Sequence, residues 1–126
     1  MYDLTVEADF SASHLLEGYD GPCGNLHGHN YRVRVTVECD RLDALGMALD
    51  LGILKRALAA ALAPLDHGHL NDNPAFKDIS PSAENIAGYV FGKVKELLGE
   101  MAEGAKLREV RVAESEHAWV TYKPYG

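Results

Sequence analysis

The segment Tyr31-Arg-Val-Arg-Val-Thr-Val-Glu-Cys39 puts Tyr31, Val33, Val35, Val37 and Cys39 on one side of an extended chain and Arg32, Arg34, Thr36 and Glu38 on the other. A strict period of two is the signature of a half-buried β-strand. Upstream the same alternation runs from Tyr2 to Ala12: Tyr2, Leu4, Val6, Ala8, Phe10 and Ala12 are apolar, and the residues between them are polar. The two strands are separated by the polar, glycine-rich stretch Glu17 to Asn30, which holds Cys23, His27 and His29. It is too long for a tight hairpin turn, and connections of that length often carry function.

Downstream the period changes. Leu51, Leu54, Leu58, Leu62 and Leu65 recur at helical spacing among strong helix formers, with Asp50 as N-cap and Pro64 disturbing the last turn. A loop rich in Asp, His, Asn and Gly follows. Ser80-Pro81 then reads as N-cap and first residue of a second helix, whose apolar stripe is Ile86, Tyr89, Val90, Val94, Leu97 and Leu98 and which ends between Gly99 and Gly104. Val110 and Val112, then Ala118, Val120 and Tyr122, return to a period of two across the turn Ser115 to His117, a terminal hairpin. The order is ββααββ. An alternating sheet must cover one face, and two amphipathic helices can do so. The expected fold class is α+β: a four-stranded antiparallel sheet with two antiparallel helices on one face, in a single domain over residues 1–126.

Composition agrees with one ordinary domain. The chain has 126 residues, 47% hydrophobic and 25% charged, and a domain of that size buries roughly two thirds of its unfolded surface, so it needs no metal or disulfide merely to fold. Twelve Lys and Arg against nineteen Asp and Glu leave a net charge of −7. With no basic block, nucleic acid and anionic membrane are not expected as partners. No apolar run approaches about 18 residues and no signal sequence is evident, so the expected location is cytoplasmic. There Cys23 and Cys39 would remain separate thiols. Cys39 lies on the apolar phase of its strand and reads as inert core.

The histidines are unevenly placed: His14, His27-Gly28-His29, His67-Gly68-His69 and His117. Residues two apart on an extended chain project to one side, so a His-Gly-His unit presents two imidazoles to one ion. If the first strand keeps its phase, His14 joins His27 and His29 on the buried side of neighbouring strands. Three imidazoles suit zinc and leave a fourth position open, the catalytic arrangement. Cys23 has two competing roles, a fourth ligand that would close the site or a thiolate base beside the metal. Asp66-His67 reads either as part of an Asx-rich turn or as a carboxylate-oriented acid–base. Glu114 continues the apolar phase of Val110 and Val112. Either the strand stops one residue early or this carboxylate awaits a ligand bearing paired N–H donors.

Taken together, Cys23-Gly-Asn-Leu-His27-Gly-His29, His14, Leu65-Asp66-His67, Leu70-Asn71-Asp72, Ser82-Ala-Glu84-Asn85 and Val112-Ala-Glu114-Ser115 resemble the 6-pyruvoyltetrahydropterin synthase family over essentially the whole chain. The three residues between Cys23 and His27 resemble its 6-carboxytetrahydropterin synthase branch, whose usual role is in queuosine biosynthesis; the biopterin branch spaces them more widely. The resemblance implies zinc on His14, His27 and His29, Cys23 as catalytic thiol with Asp66 and His67 as its acid–base partner, and Glu114, Ser82 and Glu84 on the substrate. It also implies the tunnelling fold (T-fold), in which trimers close a twelve-stranded barrel and pair into a homohexamer with active sites between subunits. The sequence departs from the family at Ala83, where a hydroxyl residue is common, which leaves the helix N-terminus one fewer hydrogen bond for substrate. His69 is not carried over.

The implied reaction converts 7,8-dihydroneopterin triphosphate to 6-carboxytetrahydropterin with loss of triphosphate and acetaldehyde, without an external redox cofactor. Arg32, Arg34, Lys77 and Lys123 are candidates for the triphosphate. Alternatives are a 6-pyruvoyltetrahydropterin synthase, a side-chain-cleaving pterin lyase of the same family, and a zinc-stapled binding module without catalysis.

Overall fold

A computed structural model describes residues 1–18, 21 and 25–124. The strands are β1 (Tyr2–His14), β2 (His27–Cys39), β3 (Gly68–His69), β4 (Ala105–Ala113) and β5 (Val120–Tyr122), and the helices are α1 (Leu51–Leu62) and α2 (Ala83–Leu98). They form one sheet in the order β3-β1-β2-β4-β5. All pairings are antiparallel except β1 with β3. The four expected strands and two helices are present, and the two-residue β3 is an addition. Among the described residues no helix is long and apolar enough to cross a membrane.

Alternation sets the faces. Val6, Phe10 and Ala12 of β1, Tyr31, Val33, Val35 and Val37 of β2, and Val110 and Val112 of β4 are buried together with Leu54, Leu58 and Leu62 of α1 and Ile86, Val90 and Val94 of α2. Burial of these branched and aromatic side chains supplies the main driving force, about 1.5–3 kcal/mol each. Leu107 also belongs to this core although its parity differs from that of Val110. A bulge resolves the mismatch: Thr36 pairs with Glu109 while Val37 pairs with Leu107, so Arg108 is the extra residue.

Three boundaries differ from expectation. α2 is capped by Ser82, whose hydroxyl accepts from the Asn85 N–H at 3.2 Å, and not by Ser80; Pro81 precedes the cap. Leu97 is exposed, and Phe91 takes a core position instead, because the buried stripe of α2 follows Ala83, Ile86, Ala87, Val90 and Val94. α1 stops at Leu62 before Pro64, so Leu65 is buried from the turn beyond the helix. Asp50 caps α1 as expected, accepting from the Gly52 N–H at 2.8 Å, and Gly99 ends α2 with positive φ.

Both long strands continue past their apolar alternation, β1 to His14 and β2 back to His27, and the register pairs His14 with His27 and Ala12 with His29. The sheet thus carries all three histidines at one end of its core face.

Candidate metal centre

His14, His27 and His29 converge, with one nitrogen from each lying within 4.8 Å of the others. His14 is fully buried and the other two are half-buried. The Nδ1 of His14 donates to the Pro81 carbonyl at 2.8 Å and that of His27 to the Asn25 carbonyl at 2.6 Å. A carbonyl only accepts, so each neutral ring carries its proton on Nδ1 and turns a bare Nε2 toward the other. Those two Nε2 atoms are 2.7 Å apart. Two lone pairs at that distance repel unless a cation lies against them. The Nε2 of His29 is buried with no hydrogen-bond partner among the described residues. Burial, the largest influence, lowers the His29 pKa, and the neighbouring His14 and His27 push the same way against the Glu114 carboxylate. A neutral imidazole is the form that ligates. The three residues fit a metal ion on nitrogen ligands.

Glu114 stands at the same place. β4 ends at Ala113, so the strand does stop one residue early, yet the carboxylate still reaches the histidines: Oε1 is 4.0 Å from His14 Nε2 and Oε2 3.8 Å from His29 Nε2. Glu114, His29, Ser82, Glu84 and Trp119 line a cavity of about 280 Å³. The Ser82 hydroxyl oxygen is engaged as the cap of α2, and Glu84 is exposed in the first turn. The sequence had given no signal for Trp119. Its ring lies 4.8, 4.5 and 5.0 Å from the guanidinium carbons of Arg32, Arg34 and Arg111.

The segment 66–71 is fastened along β1. The His67 N–H donates to the Ser11 carbonyl at 2.6 Å, and the Ser11 N–H donates to Asp66 Oδ1 at 2.9 Å. Ser13 Oγ meets His69 Nδ1 at 2.9 Å, and Asn71 clips Leu15 by accepting its N–H at 2.8 Å and donating to its carbonyl at 2.9 Å. The sequence does not mark Asn71 or Ser11 as site residues. Their roles are backbone roles, which residue type announces only weakly. Asp66 Oδ1 is also 3.0 Å from His67 Nδ1. The Ser11 N–H, foremost, and the His67 ring hold the Asp66 pKa below the usual carboxylate range. His67 is 81% exposed, has positive φ, and lines a shallow depression with Ser11, Ser13, Gly28 and Asn30. His29 borders both that depression and the Glu114 cavity. Cys23 lies outside the described residues. Lys77 lines a further depression with Asn71 and Pro81.

A family model described as 6-pyruvoyl tetrahydropterin synthase matches residues 3–125. A 6-carboxy-5,6,7,8-tetrahydropterin synthase of Synechocystis is 39% identical over 101 residues, covering 76% of this chain and 77% of its own. The 6-pyruvoyl tetrahydrobiopterin synthase of Homo sapiens is 36% identical over 128 residues, covering 90% of this chain and 86% of its own. Among solved structures, the 6-pyruvoyl tetrahydropterin synthase of Caenorhabditis elegans superposes with a TM-score of 0.82 at 32% identity, covering 98% of this chain and 96% of that one.

Proposed function

The chain belongs to the 6-pyruvoyl tetrahydropterin synthase family, and from that premise we propose that it is a zinc-dependent 6-carboxy-5,6,7,8-tetrahydropterin synthase. It converts 7,8-dihydroneopterin triphosphate to 6-carboxytetrahydropterin, triphosphate and acetaldehyde; atom balance requires one water. The observation that carries the reading is the convergence of three imidazole nitrogens beside the Glu114 carboxylate, with His29 and Glu114 lining one cavity. The spacing of Cys23 and His27 and the Synechocystis relative favour the carboxy product.

His14, His27 and His29 would hold the zinc, which when bound would supply Lewis-acid polarisation of the substrate's side-chain oxygens. By the family resemblance, Cys23 is the thiol that, as thiolate, would take a proton from a carbon of the substrate side chain. His67 moves protons at Nε2, since Asp66 orients the ring through Nδ1 and stays ionised by accepting the Ser11 N–H. Glu114 accepts two hydrogen bonds from the amino and amide N–H groups at the far edge of the pterin. Ser82 and Glu84 border the same cavity and contact the ring.

Both edges of the sheet support assembly. On its outer side β1 is paired only at Ala12 and Ser13, and β4 is covered by β5 only from Val110 to Val112. Long open edges of this kind offer unpaired backbone groups on which other chains can add strands. We read the protein as a homohexamer of two trimers, with His67 of one subunit serving the zinc of another.

The second reading is a 6-pyruvoyltetrahydropterin synthase, supported by the 36% identity to the human relative over 90% of the chain. Incubating zinc-loaded protein with 7,8-dihydroneopterin triphosphate and weighing the product separates the two. A 6-carboxytetrahydropterin mass with released acetaldehyde is expected, and a 6-pyruvoyl product would establish the alternative.

A further inference from the structure

Glu114 is given one task by the pterin reading, yet its position suits a second that excludes the first. Its carboxylate straddles two of the three histidines, 4.0 Å from His14 Nε2 and 3.8 Å from His29 Nε2. Its side chain is 27% exposed, and among the described residues it pairs with no lysine or arginine. A partly buried carboxylate set against a cluster of imidazoles, with no lysine or arginine paired to it, suits a metal cation held among them. Tetrahedral zinc with bonds near 2.0–2.1 Å sets its ligand atoms about 3.3 Å apart. The 2.7 Å between His14 and His27 and the 3.8 and 4.0 Å to Glu114 bracket that separation. A movement of the carboxylate toward the point where the three imidazoles converge brings one of its oxygens to the fourth corner of the same ion. Glu114 is also placed to move, because it follows the last paired residue of β4, Ala113, and precedes the exposed turn that begins at Ser115.

We infer that Glu114 is the fourth ligand of the zinc when no substrate is bound, and that a pterin ring draws it off the metal. The second half rests on the proposed pterin function. A pterin carries its amino and amide N–H groups at one end and its side chain at the other. A carboxylate on the metal cannot reach the N–H edge of a ring whose side-chain oxygens occupy that same metal. Ring recognition and metal ligation are alternatives, so the Lewis acid is closed by four protein ligands until the correct ring has claimed Glu114. The device is a ligand exchange without net chemistry.

The test uses full-length protein loaded with Zn²⁺ or Co²⁺. Zn²⁺ affinity by chelator competition and the Co²⁺ absorption bands are compared for wild type, Glu114→Gln and Glu114→Asp. The Asp variant keeps the charge but shortens the reach. Unchanged elution volume shows that the variants assemble. About tenfold or more weakening of Zn²⁺ and altered Co²⁺ bands are expected in both variants, the lower end of what perturbing a metal's surroundings costs. Identical affinities and bands would overturn the inference. A pterin with methyl in place of the oxygenated side chain, which cannot itself ligate, should then shift the wild-type bands on binding. Unchanged bands with binding seen by calorimetry would overturn the exchange. If this pterin does not bind at all, the pterin reading fails, and the metal comparison alone still decides whether Glu114 is a ligand.

Discussion

Replacing His14 by leucine separates what this residue does for the fold from what it does for the metal. The imidazole is fully buried, and its only carbonyl contact is the 2.8 Å bond from Nδ1 to Pro81. Leucine fills a similar volume, so cavity formation is minor. The cost is the Pro81 carbonyl left without its donor, about 1–3 kcal/mol. At about 2.1 cal/mol/K per residue, a chain of 126 residues loses about 4 °C in Tm per kcal/mol, so the metal-free variant should melt about 4–12 °C low. Metal adds a separate term. At a hundred times its Kd, an ion that binds only the folded state stabilises it by about 2.7 kcal/mol, or roughly 10 °C here. With one of three imidazoles removed and affinity down a hundredfold, about 0.4 kcal/mol remains. Differential scanning fluorimetry at fixed protein concentration, with and without Zn²⁺, reads both terms. A zinc-induced shift in the variant equal to that of wild type would refute the assignment of His14 as a ligand.

Chelation of wild-type protein should abolish turnover while far-UV circular dichroism persists, since the core of β1, β2, β4 and the helices includes none of the three histidines; unfolding on metal removal would point instead to a zinc-stapled module. Cys23→Ala should keep its zinc by elemental analysis and lose turnover, and a metal-free variant would make Cys23 a structural ligand. Because Asp66 has a lowered pKa, the bond from the Ser11 N–H is fully present above the ordinary carboxylate value of about 3.9 and is lost only as pH falls through the lower folded value. Hydrogen exchange at Ser11 should show protection at pH 5 and at pH 4, and loss of protection between them would contradict that order. Gly104, at φ +86 with its Cβ direction blocked by the Asp40 carboxylate, should cost about 1–3 kcal/mol when changed to Ala. Gly92, in the interior of α2 with open space around it, should gain roughly 0.5–1 kcal/mol from the same change, and urea denaturation measures both.

Alternation makes the long strands legible because each buries one face only, and it carries His14 into phase with Phe10 and Ala12. It failed at Leu107, since a bulge at Arg108 switches parity and leaves no residue-type signature. β3 was illegible for another reason. Two residues cannot show a period, and Gly68–His69 is held in place by the side chains of Asp66, His69 and Asn71 reaching across to β1. The helix start was misplaced by two residues because Ser80 and Ser82 are both competent caps. Only the three-dimensional path shows that Ser82 reaches the Asn85 N–H and that the Pro81 carbonyl is taken by His14. Glu114 was visible as a carboxylate out of pattern, but its distance from the histidines depends on how β4 sits against β2, which no local pattern encodes.

β1 holds the two halves of the proposed chemistry apart. Even positions face the core, so His14 turns toward His27 and His29. The odd positions Ser11 and Ser13 face the polar side and line the depression that His67 also borders. Within one chain Glu114 and His67 therefore border different depressions, with His29 on the rim of both. In the proposed assembly, a substrate seated in the Glu114 cavity draws its His67 from another copy. Two inactive variants, His14→Leu and Asp66→Ala, should then complement each other. Denatured together and refolded as a one-to-one mixture, they should recover activity at about one quarter of the sites, those pairing an intact metal centre with an intact neighbouring Asp66–His67. Steady-state turnover of the mixture against each variant refolded alone measures the recovery. A mixture no more active than its components, with mixed assemblies verified by native mass spectrometry, would mean that both groups act within one subunit, by a closure of residues 66–69 around β1.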